Sequence, residues 1–163
     1  MTRTEFNKCV DAYSDGLYRF VLKNMRDEDN ARDVVQDTFE KVWKKVDEVA
    51  FEKAKPYLFT AAYHTMLDKI RRNRTDRMEE SHLRSHGHSQ QYTGAYEALE
   101  DALQKLPEIQ RNVIMLRDYE GYDYAAIGEI TGLNESQVKV YIFRARVFLK
   151  NYLVSIDNVL WAA

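Results

Sequence analysis

Cysteine, proline and glycine are all scarce in this chain of 163 residues, and each scarcity excludes something. A single cysteine, Cys9, can form neither an internal disulfide nor a cysteine-rich zinc site, and it suits a reducing compartment. Two prolines and six glycines are too few for a β protein with many turns. Long apolar runs are missing too. The longest uncharged stretch that reads as apolar, Tyr57 to Leu67, stops at Asp68, well short of the roughly 20 residues that cross a bilayer. The start, Met1-Thr2-Arg3-Thr4-Glu5, meets charge at once and shows no secretory signal, so a cytoplasmic location is expected. A net charge of −2, from 24 Lys plus Arg against 26 Asp plus Glu, argues against a protein that coats nucleic acid without specificity.

What is present is a globular composition with its charges sorted along the chain. Acidic residues crowd 27–37 and 79–101, whereas Lys69, Arg71, Arg72, Arg74 and Arg77 form one basic run and Lys139, Arg144, Arg146 and Lys150 another. Apolar residues recur at helical spacing: Phe6, Val10, Tyr13, Leu17, Phe20 and Val21, then Val35, Phe39, Val42, Trp43 and Val46, then Leu58, Ala61, Ala62, Met66, Leu67 and Ile70 after Pro56. Between Asn73 and about Gly94 the period stops and the chain turns polar. Leu99, Leu103 and Leu106, then Ile109, Val113, Ile114 and Leu116, restore it up to Gly121. The expected fold is all-α: two small helical bundles, 1–74 and 95–163, joined by a flexible linker, 75–94.

In the second bundle, residues 123–149 carry the punctuation of a helix-turn-helix. Asp123 can cap a short helix, and Gly132 can take the left-handed conformation of a tight turn. Asn134 can cap the next helix, with Gln137 reaching back to the cap backbone. In that helix Val138, Ile142, Ala145 and Leu149 form the inward stripe, which leaves Lys139, Val140, Phe143, Arg144 and Arg146 outward. Such a second helix enters the DNA major groove. An ordinary helical hairpin with solvated charges has the same spacing, so the pattern alone leaves both readings open.

The two halves together are similar to a known family. Residues 106–113, Leu-Pro-Glu-Ile-Gln-Arg-Asn-Val, then Glu120-Gly121-Tyr122-Asp123-Tyr124 and the helix-turn-helix ending Arg144-Ala145-Arg146, resemble the fourth region of bacterial sigma factors of the sigma-70 family. Residues 29–43, from Asp29 to Trp43, resemble the helix with which the second sigma region grips RNA polymerase. Residues 57–72 resemble the next helix, which engages the minus-ten element. With only these two regions, the resemblance is to the extracytoplasmic-function (ECF) class. It implies a transcription initiation factor that binds core RNA polymerase and promoter DNA, melts the minus-ten element and recognises the minus-thirty-five element. It further implies restraint by a membrane-linked anti-sigma factor.

The resemblance assigns Asp33, Gln36, Asp37, Phe39 and Glu40 to polymerase binding, although the period of Phe39 favours the core. His64, Asp68, Arg71, Arg72 and Arg74 are assigned to the minus-ten element, the three arginines on phosphates. His64 stands where many relatives carry asparagine and Tyr57 where tryptophan is frequent. His64 can bond or stack on a base, or hold a structural partner. In the intervening loop, 44–55, Phe51 can stack on a base or plug the bundle, the plug being favoured. Glu135, Ser136, Gln137, Lys139, Val140, Phe143, Arg144 and Arg146 are assigned to the minus-thirty-five element. Arg144 is the leading base reader and Arg146 lies nearer the backbone. Val140 and Tyr141 replace frequent serine and arginine, which implies a different promoter sequence.

Other readings are weaker. His82, His86 and His88 have no scaffold or cysteine for a structural zinc and read as polar linker. His64 and Asp68, four apart, suggest a metal-dependent hydrolase, but no nucleophile elbow, phosphate loop or second ligand pair completes a site. No catalytic residue, metal, cofactor or small-molecule substrate is therefore expected. The remaining rival is a stand-alone helix-turn-helix regulator, which would have no use for the polymerase-gripping motif at 29–43.

Overall fold

The computed structural model describes residues 1–80 and 94–161, with the side chains of 1–78 and 94–155. His82, His86 and His88 lie outside the described residues. The chain forms two compact units, and no strand occurs among the described residues.

The first unit packs α1 (Arg3–Met25), α2 (Glu28–Trp43) and α3 (Ala54–Glu80) against one another. A reciprocal capping box opens α1: Thr2 Oγ1 accepts from the Glu5 N–H at 3.2 Å and Glu5 Oε2 accepts from the Thr2 N–H at 2.7 Å. The helix runs unbroken through Asp15-Gly16, a turn dipeptide elsewhere, because Cys9 before it and Leu17, Phe20 and Val21 after it keep the helical period and are buried. Arg26, in the left-handed conformation with φ +52°, ends α1, and Asp27 starts α2 by accepting from the Asn30 N–H at 3.0 Å. Leu17, Phe20, Val21, Val34, Leu58, Phe59 and Met66 are fully buried, with the Phe20 and Phe59 rings 6.0 Å apart.

Three expectations need correction here. The deepest stripe of α2 is Ala31, Val34, Thr38 and Val42, while Val35 and Phe39 are half-buried and Trp43 is exposed. Small residues allow this register, and Thr38 is tolerated because its hydroxyl donates to the Val34 carbonyl at 2.7 Å. Phe51 does not plug the bundle; it is 39% exposed on one of two short 3-10 turns, Val46–Glu48 and Phe51–Lys53, that carry the chain from α2 to α3. Finally, α3 continues to Glu80, through the first part of the expected linker, since Arg, Met and Glu sustain a helix and Thr75 bonds its hydroxyl back to the Arg71 carbonyl.

The second unit contains α4 (Ala95–Lys105), α5 (Glu108–Ile114), α6 (Tyr124–Thr131) as far as Gly128, and α7 (Glu135–Trp161), with α4 and α5 both packed on α7. After Ile114 the helix widens into a π turn, Met115–Tyr119, closed by bonds from Glu120 N–H to the Met115 carbonyl and from Gly121 N–H to the Arg117 carbonyl, both 3.2 Å. Gly121 ends it at φ +74°. Val113, Leu116, Ile127, Val138, Ile142 and Ala145 are buried, in accord with the predicted stripes.

Candidate nucleic-acid interface

The helix-turn-helix forms as its punctuation predicts. Asp123 Oδ1 accepts from the Ala126 N–H at 2.8 Å and starts α6. At the turn, Gly132 has φ +77°, and the Leu133 carbonyl comes so close to α6 that a Cβ on Gly128 would lie 2.7 Å from its oxygen. Asn134 and Gln137 then exchange bonds: Asn134 Oδ1 accepts from the Gln137 N–H at 2.8 Å and Gln137 Oε1 accepts from the Asn134 N–H at 3.0 Å.

This architecture sorts the outward residues of α7 into engaged and available. Gln137 is occupied in the cap. Glu135 pairs with Lys139 at 3.1 Å, and the Lys139 ammonium stands 5.4 Å from the centroid of the Tyr124 ring. The Arg117 guanidinium lies over the same ring at 4.6 Å. Arg146 donates from Nη2 and Nε to the two oxygens of Asp118, at 2.6 and 3.2 Å, which favours its charged form further. Ser136, Val140, Phe143 and Arg144 are exposed, and Arg144 makes no ion pair or hydrogen bond among the described residues. Asp118 and Tyr124, which hold Arg146 and the pair Arg117 and Lys139, were not among the predicted site residues; their contacts join separate elements and obey no local spacing.

In the first unit, His64, Asp68 and Arg71 follow at four and three along one exposed face of α3, with Arg72 and Arg74 exposed beside them. The His64 ring meets Tyr63 edge-on at 5.5 Å. Where this face reaches the end of α2, a hollow of about 300 Å³ is lined by Lys41, Lys44, Lys45, Tyr57 and Ala61. These lysines were also missed: Lys41, Lys44 and Lys45 stand at the spacing of one helical side, but the hollow needs Tyr57 and Ala61 of α3 as its other wall. Lys41 Nζ donates to Thr65 Oγ1 at 3.0 Å, so its ammonium is held at the junction of the two helices.

Asp33, Gln36, Asp37 and Glu40 share one exposed face of α2, at spacings of three and four. Asp33 accepts from Lys69 of α3 at 3.1 Å. Glu40 pairs with Lys44 at 2.7 Å, which holds its carboxyl below the usual carboxylate range. Phe39 is off this face: it is half-buried and meets Phe6 edge-on at 6.1 Å. Among the described residues no three His, Cys, Asp or Glu side chains stand close enough to hold a metal, and no helix is long and apolar enough to cross a membrane.

Comparison with known proteins agrees with this geometry. The family model for Sigma-70 region 2 matches residues 9–75, and that for Sigma-70, region 4 matches residues 96–149. RNA polymerase sigma factor SigV of Bacillus subtilis is 28% identical over 153 residues, covering 91% of both chains. ECF RNA polymerase sigma factor SigL of Mycobacterium tuberculosis is 30% identical over 138 residues, covering 79% of this chain and 77% of its own. Among solved structures, the sigma factor RpoE in complex with the anti-sigma factor NepR from Bartonella quintana aligns with a TM-score of 0.79 at 25% identity, over 91% of this chain and 96% of that one. CnrH in complex with the cytosolic domain of CnrY aligns at 0.71 and 25% identity, over 92% and 88%. The chain belongs to the sigma-70 family of RNA polymerase sigma factors, in its ECF class. It is thus a transcription initiation factor that directs RNA polymerase to promoters.

Proposed function

We propose that residues 1–74 grip core polymerase and capture the minus-ten element, that residues 95–163 bind the minus-thirty-five duplex, and that 75–94 join them. The observation that carries this is the separation of surfaces: an acidic and amide face on α2, a basic face on α3, and an exposed arginine on the second helix of a helix-turn-helix. Asp33, Gln36, Asp37 and Glu40 meet a basic surface of polymerase, with Phe39 acting through its packing against Phe6. His64 and Asp68 contact the minus-ten strand, while Arg71, Arg72 and Arg74 neutralise phosphates and supply salt-dependent affinity. On α7, Ser136, Val140, Phe143 and Arg144 face bases. Glu135, Gln137 and Lys139 brace the first turns, and Arg146 reaches a phosphate only on leaving Asp118.

The protein works in the cytoplasm, has no catalytic site, cofactor or small-molecule substrate of its own, and is restrained by a membrane-linked anti-sigma factor. The likeness to the sigma factor RpoE solved with the anti-sigma factor NepR, and to CnrH solved with the cytosolic domain of CnrY, supports the last point.

The test is run-off transcription with core polymerase on a fragmented library of the source genome, with and without the protein. Start sites that require the protein are expected. Duplex binding without polymerase and without new starts would give the protein to the stand-alone regulators.

A further inference from the structure

We propose that α7 reads thymine through its 5-methyl group, using Val140 and Phe143, so that the minus-thirty-five element carries thymine beside the base pair that meets Arg144. This rests on the reading of α7 as the minus-thirty-five helix.

Ser136, Val140, Phe143 and Val147 follow at four, three and four along α7, forming a crest opposite the buried Val138, Ile142 and Ala145. Val140 is 44% exposed, Phe143 68% and Val147 43%. A solvated helix face gains nothing from such a crest. Of the polar neighbours, Gln137 caps the helix, Lys139 pairs with Glu135 and Arg146 with Asp118, which leaves Ser136 and Arg144 as the polar groups beside the apolar pair. In the major groove the only apolar group a base offers is the C5 methyl of thymine, which suits valine and phenylalanine. Val140 and Phe143 are about 4.5 Å apart along the helix axis, close to the roughly 3.4 Å base-pair step, so they reach neighbouring pairs. Exposed Arg144 and Lys150 flank the crest, and no carboxylate lies on it. A polyanion therefore fits this surface better than a second copy of the same cationic helix.

The experiment uses the full chain with core polymerase to select duplexes from a library randomised across the minus-thirty-five window. Each thymine of the selected element is then replaced by deoxyuridine, which deletes the methyl alone. One or two adjacent thymines should each lose about four-fold in affinity, the worth of one buried methyl. In the Val140→Ala and Phe143→Ala proteins that penalty should vanish, whereas Arg144→Ala should bind less tightly and keep it. Phe143 is exposed, so its alanine variant retains the fold, which circular dichroism checks. An enriched element without thymine, or one indifferent to deoxyuridine, overturns the proposal. So does a dimer in sedimentation that Phe143→Ala dissociates, which would give the crest to a second copy. Failure to enrich any sequence overturns the minus-thirty-five reading itself.

Discussion

Arg146 and Asp118, 28 positions apart, meet through two hydrogen bonds, Nη2 to Oδ1 at 2.6 Å and Nε to Oδ2 at 3.2 Å. The fork ties α7 to the π turn after α5 and engages a cation that, on the proposed minus-thirty-five helix, would otherwise be open to a phosphate. Asp118→Ala should therefore release Arg146. Because both side chains are substantially exposed, stability should fall by less than about 1 kcal/mol. Duplex affinity should meanwhile become more salt-dependent, the slope of log K against log salt steepening by about 1. An unchanged slope, measured by fluorescence anisotropy across a salt series, would mean that Arg146 meets no phosphate even when freed.

The two glycines of the helix-turn-helix should respond differently to alanine. At Gly128 an added Cβ would lie 2.7 Å from the Leu133 backbone oxygen, which cannot move without opening the turn. Gly128→Ala should cost about 1–3 kcal/mol, as overpacking does. Gly132 has open space but φ +77°, and there the left-handed conformation should cost about 1–2 kcal/mol. Urea unfolding measures both, and the discriminating variant is Gly132→Asn, which restores much of the loss because asparagine tolerates this conformation. No equivalent rescue exists at Gly128, where the obstacle is space.

Much of this unit was legible because its signals are local. Asp123, Gly132, Asn134 and Gln137 lie within a few residues of the bonds they make, and the 138, 142 and 145 stripe follows from the helical period. The register of α2 was less legible, since a stripe counted from large apolar residues passes over Ala31 and Thr38, the small side chains that allow close packing. Phe51 misled for a related reason: its apolar ring suggests a plug, but the two short turns hold it outward. The Asp118 fork and the Tyr124 platform had no sequence signal, because each depends on residues brought together from separate elements, whereas the lysines of the hollow are close in sequence and only its α3 wall was hidden.

Cys9 is fully buried in α1, and burial pushes its thiol pKa upward. At neutral pH the group is therefore protonated as well as shielded. Thiol reagents should modify the native protein far more slowly than the urea-unfolded one, with rates rising in step with the unfolded fraction. Rapid native labelling at pH 7 would show that α1 opens locally near Cys9.

Asn112 is fully buried, and among the described residues neither its side-chain nitrogen nor its oxygen has a hydrogen-bond partner. An unsatisfied buried polar group costs about 1–3 kcal/mol, and leucine keeps the branched outline of the side chain while replacing both polar atoms by bulkier methyl groups. Asn112→Leu should raise the urea midpoint at unchanged slope. A lower midpoint would mean that the added volume overpacks the site or that an ordered water bonds the amide in solution, and Asn112→Ala, which adds no volume, separates the two.

The arginines of the two units should separate affinity from specificity. Arg144 stands exposed and without an ion pair on the outer face of α7, next to the Val140 and Phe143 crest. A bidentate contact to guanine is worth about 1–3 kcal/mol of base discrimination, so Arg144→Ala should flatten the preference at one position of the minus-thirty-five element. Arg71, Arg72 and Arg74 crowd one end of α3, where exposed cations meet phosphates whatever the sequence. Replacing any one by alanine should weaken open-complex formation on all promoters alike and lower the salt slope by about 1. Abortive transcription from a promoter and its single-base variants, repeated at several salt concentrations, separates the two. If Arg144→Ala instead lowers every variant equally while an α3 arginine changes base preference, the assignments of the two helices must be exchanged.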